Sequence, residues 1–547
     1  MRGFVALLAG VLAASSASAI PPVPPPPPPA PPPRLLIAIS VDQFSADLFD
    51  EYRTQFTGGL ARIAGCVTFR NGYQAHAATE TCPGHSTILT GSHPAHTGII
   101  ANNWIDQSIA RGEKSVYCAE DETKPKPSGD ASYVVSPVHL HSATLGDQLK
   151  QVSPQSWNVA VAGKDRAAVM MGGRRVDQRW YWDGKQFVTD LAGVRVPAVV
   201  GRANAAVAGA IAQPREALAA PPTCEAKSAP IRLSNSLTVG DHRFARAAGD
   251  AKAFRNSPEF DGSVLALAAG LVQELGLGRD TSPDLLSVGL SATDYVGHAY
   301  GAGGGEMCLQ LLSLDRDLGD FLKLLDRSGL DYAVVLTADH GGMDIPERLR
   351  VKGKPSIRAN AALSPAVVGK QLAAQFGGSG SVLVGEGIGG DVWIDKSVRP
   401  ADRPRVLAAA IRHYKAQAQV EDVFDRATIM NVPMPSGDPS RWTLLQRVRA
   451  SYDPARSGDF YVVLKQYVSP IAEPSVGYVA THGSPWDYDR RVPILFWRPG
   501  IAPVTRNEAI STVDILPTLQ AMLALKPTPG IDGHCLTGIS GIACPPR

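Results

Sequence analysis

Leu35-Leu36-Ile37-Ala38-Ile39-Ser40-Val41-Asp42 is a nearly unbroken apolar run that ends on a carboxylate. A run of strand length without polar alternation reads as a strand buried on both faces, the pattern of a parallel sheet covered by helices. Two further runs repeat it. Leu285 to Leu290 leads into Ser291-Ala292-Thr293-Asp294-Tyr295-Val296-Gly297-His298, and Tyr332 to Leu336 leads into Thr337-Ala338-Asp339-His340. A later segment, Thr481-His482-Gly483, adds one more histidine. In open α/β sheets the functional groups gather in the crevice beyond the carboxyl ends of the strands. Three Asp and three His brought together there would form a two-metal site. Mixed carboxylate and imidazole ligands suit zinc better than magnesium or calcium. A metal pair about 4 Å apart is a device for moving phosphoryl groups.

The rest of the chain supports one large α/β body. Strand and helix patterns alternate, which argues for a mainly parallel sheet with crossover helices. Trp157 to Ala162 reads as a strand ending at Gly163-Lys164-Asp165-Arg166, and Pro493 to Trp497 as another buried run. Leu311, Leu314, Leu318, Phe321, Leu322 and Leu325 form one helical stripe; Phe260 to Leu275 and Ile510 to Leu523 read as further helices. Trp180-Tyr181-Trp182-Asp183-Gly184-Lys185 reads as a hairpin turning at Asp-Gly. The stretches around 165–256 and 345–475, the second with Gly-rich turns such as Gly377-Gly378-Ser379-Gly380, read as insertions that build a cap.

With 547 residues, a formal charge of +2 and 44% hydrophobic content, the chain can bury a large core. Its Lys and Arg are dispersed, so nothing marks it as a nucleic-acid binder. Arg2, the apolar Phe4 to Ala14 and the small residues Ala17-Ser18-Ala19 read as a secretory signal over 1–19, with cleavage after Ala19 and a periplasmic or secreted destination. The apolar run is too short to span a membrane, and no later segment is long and apolar enough. Residues 20–34 read as a proline-rich linker in polyproline II, so the packed body, 35–547, should begin near Arg34. An exported chain with seven cysteines should form disulfides, Cys535 with Cys544 first, and the odd count leaves one thiol over.

A phosphoryl-transfer site also needs a nucleophile. In Thr79-Glu80-Thr81-Cys82-Pro83-Gly84-His85-Ser86-Thr87-Ile88-Leu89, Pro83-Gly84 reads as a turn and Ser86 to Thr90 as the first turn of a helix. A hydroxyl there faces free backbone N–H groups and the positive end of the helix dipole. A metal could lower its pKa. The alternative is that Thr81 only caps the helix.

Taken together, Asp42, Thr-x-Pro-Gly-His, Asp-x-x-x-His, Ala-Asp-His-Gly-Gly and the late Thr-His-Gly resemble the alkaline phosphatase superfamily. The branch is that of nucleotide pyrophosphatases/phosphodiesterases, and within it the pattern is most similar to the bacterial periplasmic alkaline phosphatases with a threonine nucleophile. The resemblance covers about residues 35–525. It implies a three-layer α/β sandwich with a mainly parallel central sheet and an irregular cap built from insertions. It implies two zinc ions, one held by Asp294, His298 and His482 and the other by Asp42, Asp339 and His340 with the Thr81 oxygen. It also implies phosphate monoester hydrolysis through a phosphothreonine on Thr81, with small phosphate esters as substrates.

A monoester carries more negative charge than a diester, so extra cationic donors favour it. Lys164 and Arg166 resemble the Lys-x-Arg pair of the threonine-type alkaline phosphatases, with Arg166 able to fork onto two phosphoryl oxygens. Asn102 is favoured over Asn103 as the amide that contacts phosphate. His85, His93 and His96 should orient the nucleophile loop and not bind metal. A sulfatase would need Cys-x-Pro-x-Arg, whereas here Pro83 directly follows Cys82. A phosphodiesterase of the same superfamily is the serious alternative, and an inactive metal-binding surface protein the remote one.

Overall fold

The computed structural model describes residues 30–125, 133–376 and 380–546. The signal-like segment 1–19, most of the proline tract and Gly377-Gly378-Ser379 of the expected turn lie outside them. Strand Leu35–Val41 lies at the centre of a ten-stranded sheet, parallel to Asp284–Leu290 on one side and to Tyr332–Thr337 on the other. Asn158–Ala162 and Gln178–Trp182 extend the parallel part, and Phe187–Val188 returns antiparallel to it. That last pair is the hairpin expected at Asp183-Gly184, where Gly184 has a φ of 104°. Beyond Tyr332–Thr337, Arg491–Trp497 and then Val67–Tyr73 each run antiparallel to the strand before, with Val504–Arg506 and Ile510–Ser511 at the edge.

Why both faces of this sheet are covered follows from side-chain alternation. Leu35, Ile37, Ile39 and Val41 pack with Leu286, Val288, Leu290, Val334 and Leu336 beneath helices Pro258–Leu275 and Gly305–Arg327. Leu36, Ala38, Leu285, Ala333 and Val335 point the other way, onto Ile88, Leu145, Met171, Leu516 and Leu519. The result is three layers, helix–sheet–helix, as a run of apolar strands predicts. Register then sets the site: Ser40 pairs with both Gly289 and Thr337, so the three strands end level with one another.

Several elements differ from the sequence reading. The cap formed within 345–475 is regular: Leu383–Val384, Gly390–Ile394, Phe460–Leu464 and Val420–Asp425 make a four-stranded antiparallel sheet. Helices Pro365–Ala373 and Arg403–Lys415 pack on it through a core of its own. Residues 165–256 are not a cap insertion throughout. Their first part supplies helix Asp165–Gly172 and two strands of the main sheet, and Val199, Val200 and Val207 of helix Ala198–Ala212 join the main core. The expected helix from Ile510 begins later. Ile510 and Ser511 pair with Gly72 and Tyr73, Ser511 caps a 3₁₀ turn, and the helix runs Ile515–Met522. The packed body begins before Arg34: Pro33 is buried, Ala30 N–H donates to Gly541 O at 3.2 Å, and Arg498 Nη1 donates to Pro31 O at 2.5 Å. Three disulfides form, Cys82–Cys118, Cys224–Cys308 and the expected Cys535–Cys544, which leaves Cys66 as a buried free thiol.

Candidate metal and phosphate site

Two triads stand at the carboxyl edge of the sheet, Asp42–Asp339–His340 and Asp294–His298–His482. Asp42 follows Val41 directly, Asp339 and His340 follow Thr337 by two and three residues, and Asp294 and His298 lie on the helix Ala292–Tyr300 that leaves the strand ending at Leu290. Spacing of four along a helix puts both side chains on one face. Gly297 permits this packing, because a Cβ there would meet Gln43 Oε1 at 1.6 Å.

The donors are arranged as metal ligands. His340 Nδ1 bonds Gly341 O at 2.8 Å, His298 Nδ1 bonds Ala480 O at 2.7 Å, and His482 Nδ1 bonds Thr79 O at 2.9 Å. A carbonyl only accepts, so each Nδ1 carries the proton and each Nε2 presents a lone pair. Those Nε2 atoms face carboxylates: His298 to Asp294 Oδ1 at 3.2 Å, His482 to the same oxygen at 3.4 Å, and His340 to Asp42 Oδ1 and Asp339 Oδ2 at 3.4 Å each. Ligands about 2.0–2.1 Å from a tetrahedral centre lie about 3.3–3.4 Å apart, so both triads have the dimensions of a metal cage. Asp339 Oδ1 accepts from Gln43 N–H at 3.2 Å and His340 N–H at 3.0 Å, which turns Oδ2 inward. Asp42 Oδ1, Asp294 Oδ1 and His340 Nε2 are buried without hydrogen bonds, and unpaired buried polar atoms need a partner. Burial, with the adjacent Asp294 and Asp339, holds Asp42 well above the usual carboxylate range. Burial pushes His340 down to about 3, which keeps its ring neutral.

Between the triads lies Lys164. Its Nζ is 2.6 Å from Asp42 Oδ2 and 2.5 Å from Asp294 Oδ2, one carboxylate of each. Burial alone would lower its pKa, but Asp294 and Asp42 raise it above the ordinary value. The structure therefore places Lys164 against the carboxylates and gives it no hydrogen bond to Thr81. The rings of His340 and His482 stack with centroids 3.6 Å apart, so the two triads are immediate neighbours.

Thr81 is fully buried, but not in the local structure expected. Helix Thr81–Ile88 begins at Thr81 with Glu80 as N-cap, so Pro83 and Gly84 lie inside the first helical turn and form no separate turn. Proline is tolerated there because those N–H groups lack intrahelical partners anyway. Gly84 lets the helix sit flush on the sheet edge, since a Cβ at that position would lie 1.9 Å from Asp339 O. Arg166 Nη2 approaches Thr81 Oγ1 at 3.5 Å, and its Nη1 reaches Tyr117 Oη at 3.4 Å. Asn102 Oδ1 accepts from Cys82 N–H at 2.8 Å, whereas Asn103 is exposed on the next strand. His85 bonds Thr81 O at 2.9 Å and sits 3.0 Å from Asp339 Oδ2, an orienting position, while His96 pairs with Asp532 at 2.9 Å, away from either triad. A cavity of about 660 Å³ opens above, lined by Asn102, Arg166, His298 and His482 and, from the cap, Trp393 and Tyr461.

The sequence reading missed several supporting groups. Glu80 accepts from Asn102 N–H at 2.7 Å, and Tyr117 and Tyr133 both donate to Asp165, at 2.8 and 2.7 Å. Only the adjacency of Glu80 and Asp165 to Thr81 and Arg166 could have flagged them.

Residues 36–485 match the family described as type I phosphodiesterase / nucleotide pyrophosphatase. The chain belongs to this family. Among curated relatives, alkaline phosphatase PhoK of a Sphingomonas species is 50% identical over 93% of this chain and 91% of its own length. Alkaline phosphatase PhoD of Zymomonas mobilis is 44% identical over 92% and 88%. The crystal structure of alkaline phosphatase PafA, a protein of Elizabethkingia meningoseptica, superposes with a TM-score of 0.82 at 26% identity, covering 93% of this chain and 99% of that one. A PafA variant altered at one Thr, one Asn, one Lys and one Arg also superposes, with a TM-score of 0.81 at 25% identity over 93% and 99%. In order and spacing those four positions fall as Thr81, Asn102, Lys164 and Arg166 do here. The chain is thus a family member with the α/β fold of PafA and an enzyme of the alkaline phosphatase type.

Proposed function

We propose that this chain hydrolyses phosphate monoesters at a two-zinc centre, through a phosphothreonine on Thr81, and releases inorganic phosphate. The observation that carries the reading is the pair of triads whose three Nε2 lone pairs and unpaired carboxylate oxygens stand at tetrahedral ligand spacing. Asp42, Asp339 and His340 would hold one ion, with the Thr81 oxygen, and Asp294, His298 and His482 the other. Zinc so held supplies charge neutralisation and lowers the pKa of a bound hydroxyl or water.

The chain's own groups account for the rest. The Thr81 oxygen bonds phosphorus as the ester oxygen leaves, and water then displaces Thr81 to give phosphate. Arg166, beside Thr81 Oγ1, can fork onto two phosphoryl oxygens, and the Asn102 amide can donate to a third. Lys164 offsets the negative charge that Asp42 and Asp294 gather at one point. These donors favour a dianionic phosphoryl group over a monoanionic one, which supports the monoester reading. The signal-like 1–19, the proline linker and export to the periplasm or medium belong to the same proposal. Three disulfides, and no described helix long and apolar enough to cross a membrane, fit with it.

Dialysis against a chelator, assayed on an aryl phosphate beside an aryl phosphodiester, tests the reading. Activity should vanish, return with zinc, and favour the monoester. Full activity in metal-free protein overturns it, and a preference for the diester moves the enzyme to the phosphodiesterase reading.

A further inference from the structure

Cys82 and Cys118 are joined by a disulfide that lies beside every group proposed to meet phosphate. Cys82 follows Thr81 and is wholly buried. Cys118 follows Tyr117 at the end of strand Ser115–Tyr117, which pairs with Asn103–Ile105. Three bonds fix Asn102, and the two bridged residues make two of them: Cys82 N–H donates to its Oδ1 at 2.8 Å and Cys118 N–H to its backbone O at 2.9 Å. The third runs from Asn102 N–H to Glu80 Oε2 at 2.7 Å. At the other end, Tyr117 Oη donates to Asp165 Oδ1 at 2.8 Å and receives Arg166 Nη1 at 3.4 Å. The chain thereby closes a ring. It runs from Thr81 to Cys82, across the bridge to Cys118 and Tyr117, on to Arg166, and back to Thr81 Oγ1 at 3.5 Å.

Neither triad lies on this ring. The bridge sits in an apolar cluster with Ile99, Ile100, Trp104, Val116 and Met170. Without it, the segment between the two cysteines, which carries Asn102, would be tied to the nucleophile helix only by hydrogen bonds and apolar packing. We propose that the Cys82–Cys118 disulfide is a positioning element that holds Asn102 and Arg166 in register with Thr81, and so sets the preference for a dianionic phosphoryl group. The inference rests on the roles given above to Thr81, Asn102 and Arg166.

The test compares intact enzyme, Cys82→Ser/Cys118→Ser, Cys535→Ser/Cys544→Ser, Arg166→Ala and Asn102→Ala, each with metal content and Tm recorded. In the first double variant, monoester kcat/KM should fall about 10-fold or more, as expected for small misplacements of binding groups. Diester kcat/KM and metal content should change far less, and the Cys535/Cys544 variant should keep the wild-type ratio. Equal losses on both esters, or unchanged constants, overturn the proposal. Should Arg166→Ala and Asn102→Ala leave the ratio untouched, the reading of the site fails and not the bridge alone. If the Cys82/Cys118 variant does not fold, the folded wild type is reduced with a water-soluble phosphine, which takes oxygen from water as the bridge yields two thiols. Mass spectrometry confirms opening, and the reduced enzyme must show the same loss of monoester preference or the proposal is wrong.

Discussion

Gly84→Ala is the sharpest test of how the helix Thr81–Ile88 is seated. A Cβ at Gly84 would lie 1.9 Å from Asp339 O, 2.6 Å from its carbonyl carbon and 2.9 Å from its Cα. All three are backbone atoms of Asp339, a proposed metal ligand, so no rotamer relieves the contact. Restoring an ordinary separation requires the helix and the sheet edge to part by at least about 1 Å, and overpacking of this kind costs about 1–3 kcal/mol of stability. The larger effect should be on rate. The helix carries Thr81 three residues before the clash, while Asp339 follows the sheet strand Tyr332–Thr337. A shift of about 1 Å between reacting groups can lower rate about 100-fold. We expect Gly84→Ala to fold, to bind metal with modestly lower affinity, and to lose about two orders of magnitude in kcat/KM for an aryl phosphate. Steady-state kinetics with metal content by mass spectrometry reads both quantities. Near wild-type kcat/KM in a folded, metal-loaded variant would refute the claim that the close approach of Gly84 to Asp339 sets the position of the nucleophile.

Thr81→Ala should abolish most turnover yet keep its metals, because both triads come from other residues, and Thr81→Ser should retain part; quench-flow capture of phosphoprotein separates the two. Arg166→Ala should cost about 2–4 kcal/mol of transition-state stabilisation on a monoester, roughly 30- to 1,000-fold, and markedly less on a diester. Lys164→Ala should narrow the same preference and also change zinc affinity, measured by competition with a chelator, since Lys164 joins Asp42 and Asp294. Asp391, partly buried in the cap, is pushed up to about 7 by burial, although Gly458 N–H donates to its Oδ1. A carboxyl whose folded pKa is raised favours folding below its unfolded value, and that contribution is lost as pH rises through about 7. Asp391→Asn keeps an acceptor for Gly458, so Tm should rise above pH 7 and the gain should fade toward pH 4; a gain independent of pH would exclude this origin.

Most of the candidate metal site was legible because its residues follow apolar strands whose register the fold must keep. Asp42, Asp294, Asp339 and His340 need only the rule that such strands end together. His298 stands in the sequence only as the end of an Asp-x-x-x-His segment, whose helical placement the structure supplies, and His482 is assigned by resemblance to a known pattern. The cap was less legible. Strands such as Leu383–Val384 and Gly390–Ile394 are short and separated by glycines, so period-2 alternation never accumulates. The start of the Thr81 helix was misplaced because Pro-Gly signals a turn by composition, whereas the first turn of a helix tolerates both residues. The contact of Lys164 with Asp42 and Asp294 was not foreseen, because sequence spacing alone does not show which carboxylates an ammonium group meets. The bridge between Cys82 and Cys118 was invisible for a related reason, since pairing follows from the fold and not from cysteine spacing.

The three carbonyls that orient the histidines belong to Thr79, Gly341 and Ala480, and each triad draws ligands from segments far apart in the chain. A chain made only as far as His340 therefore holds the full residue set of the first triad alone, and the second stays incomplete until the segment around His482 arrives. Under the two-zinc reading proposed above, uptake of the second ion becomes a checkpoint on completed long-range folding. Under the same reading, with the export proposed above, that ion would come from the compartment where the segment around His482 docks.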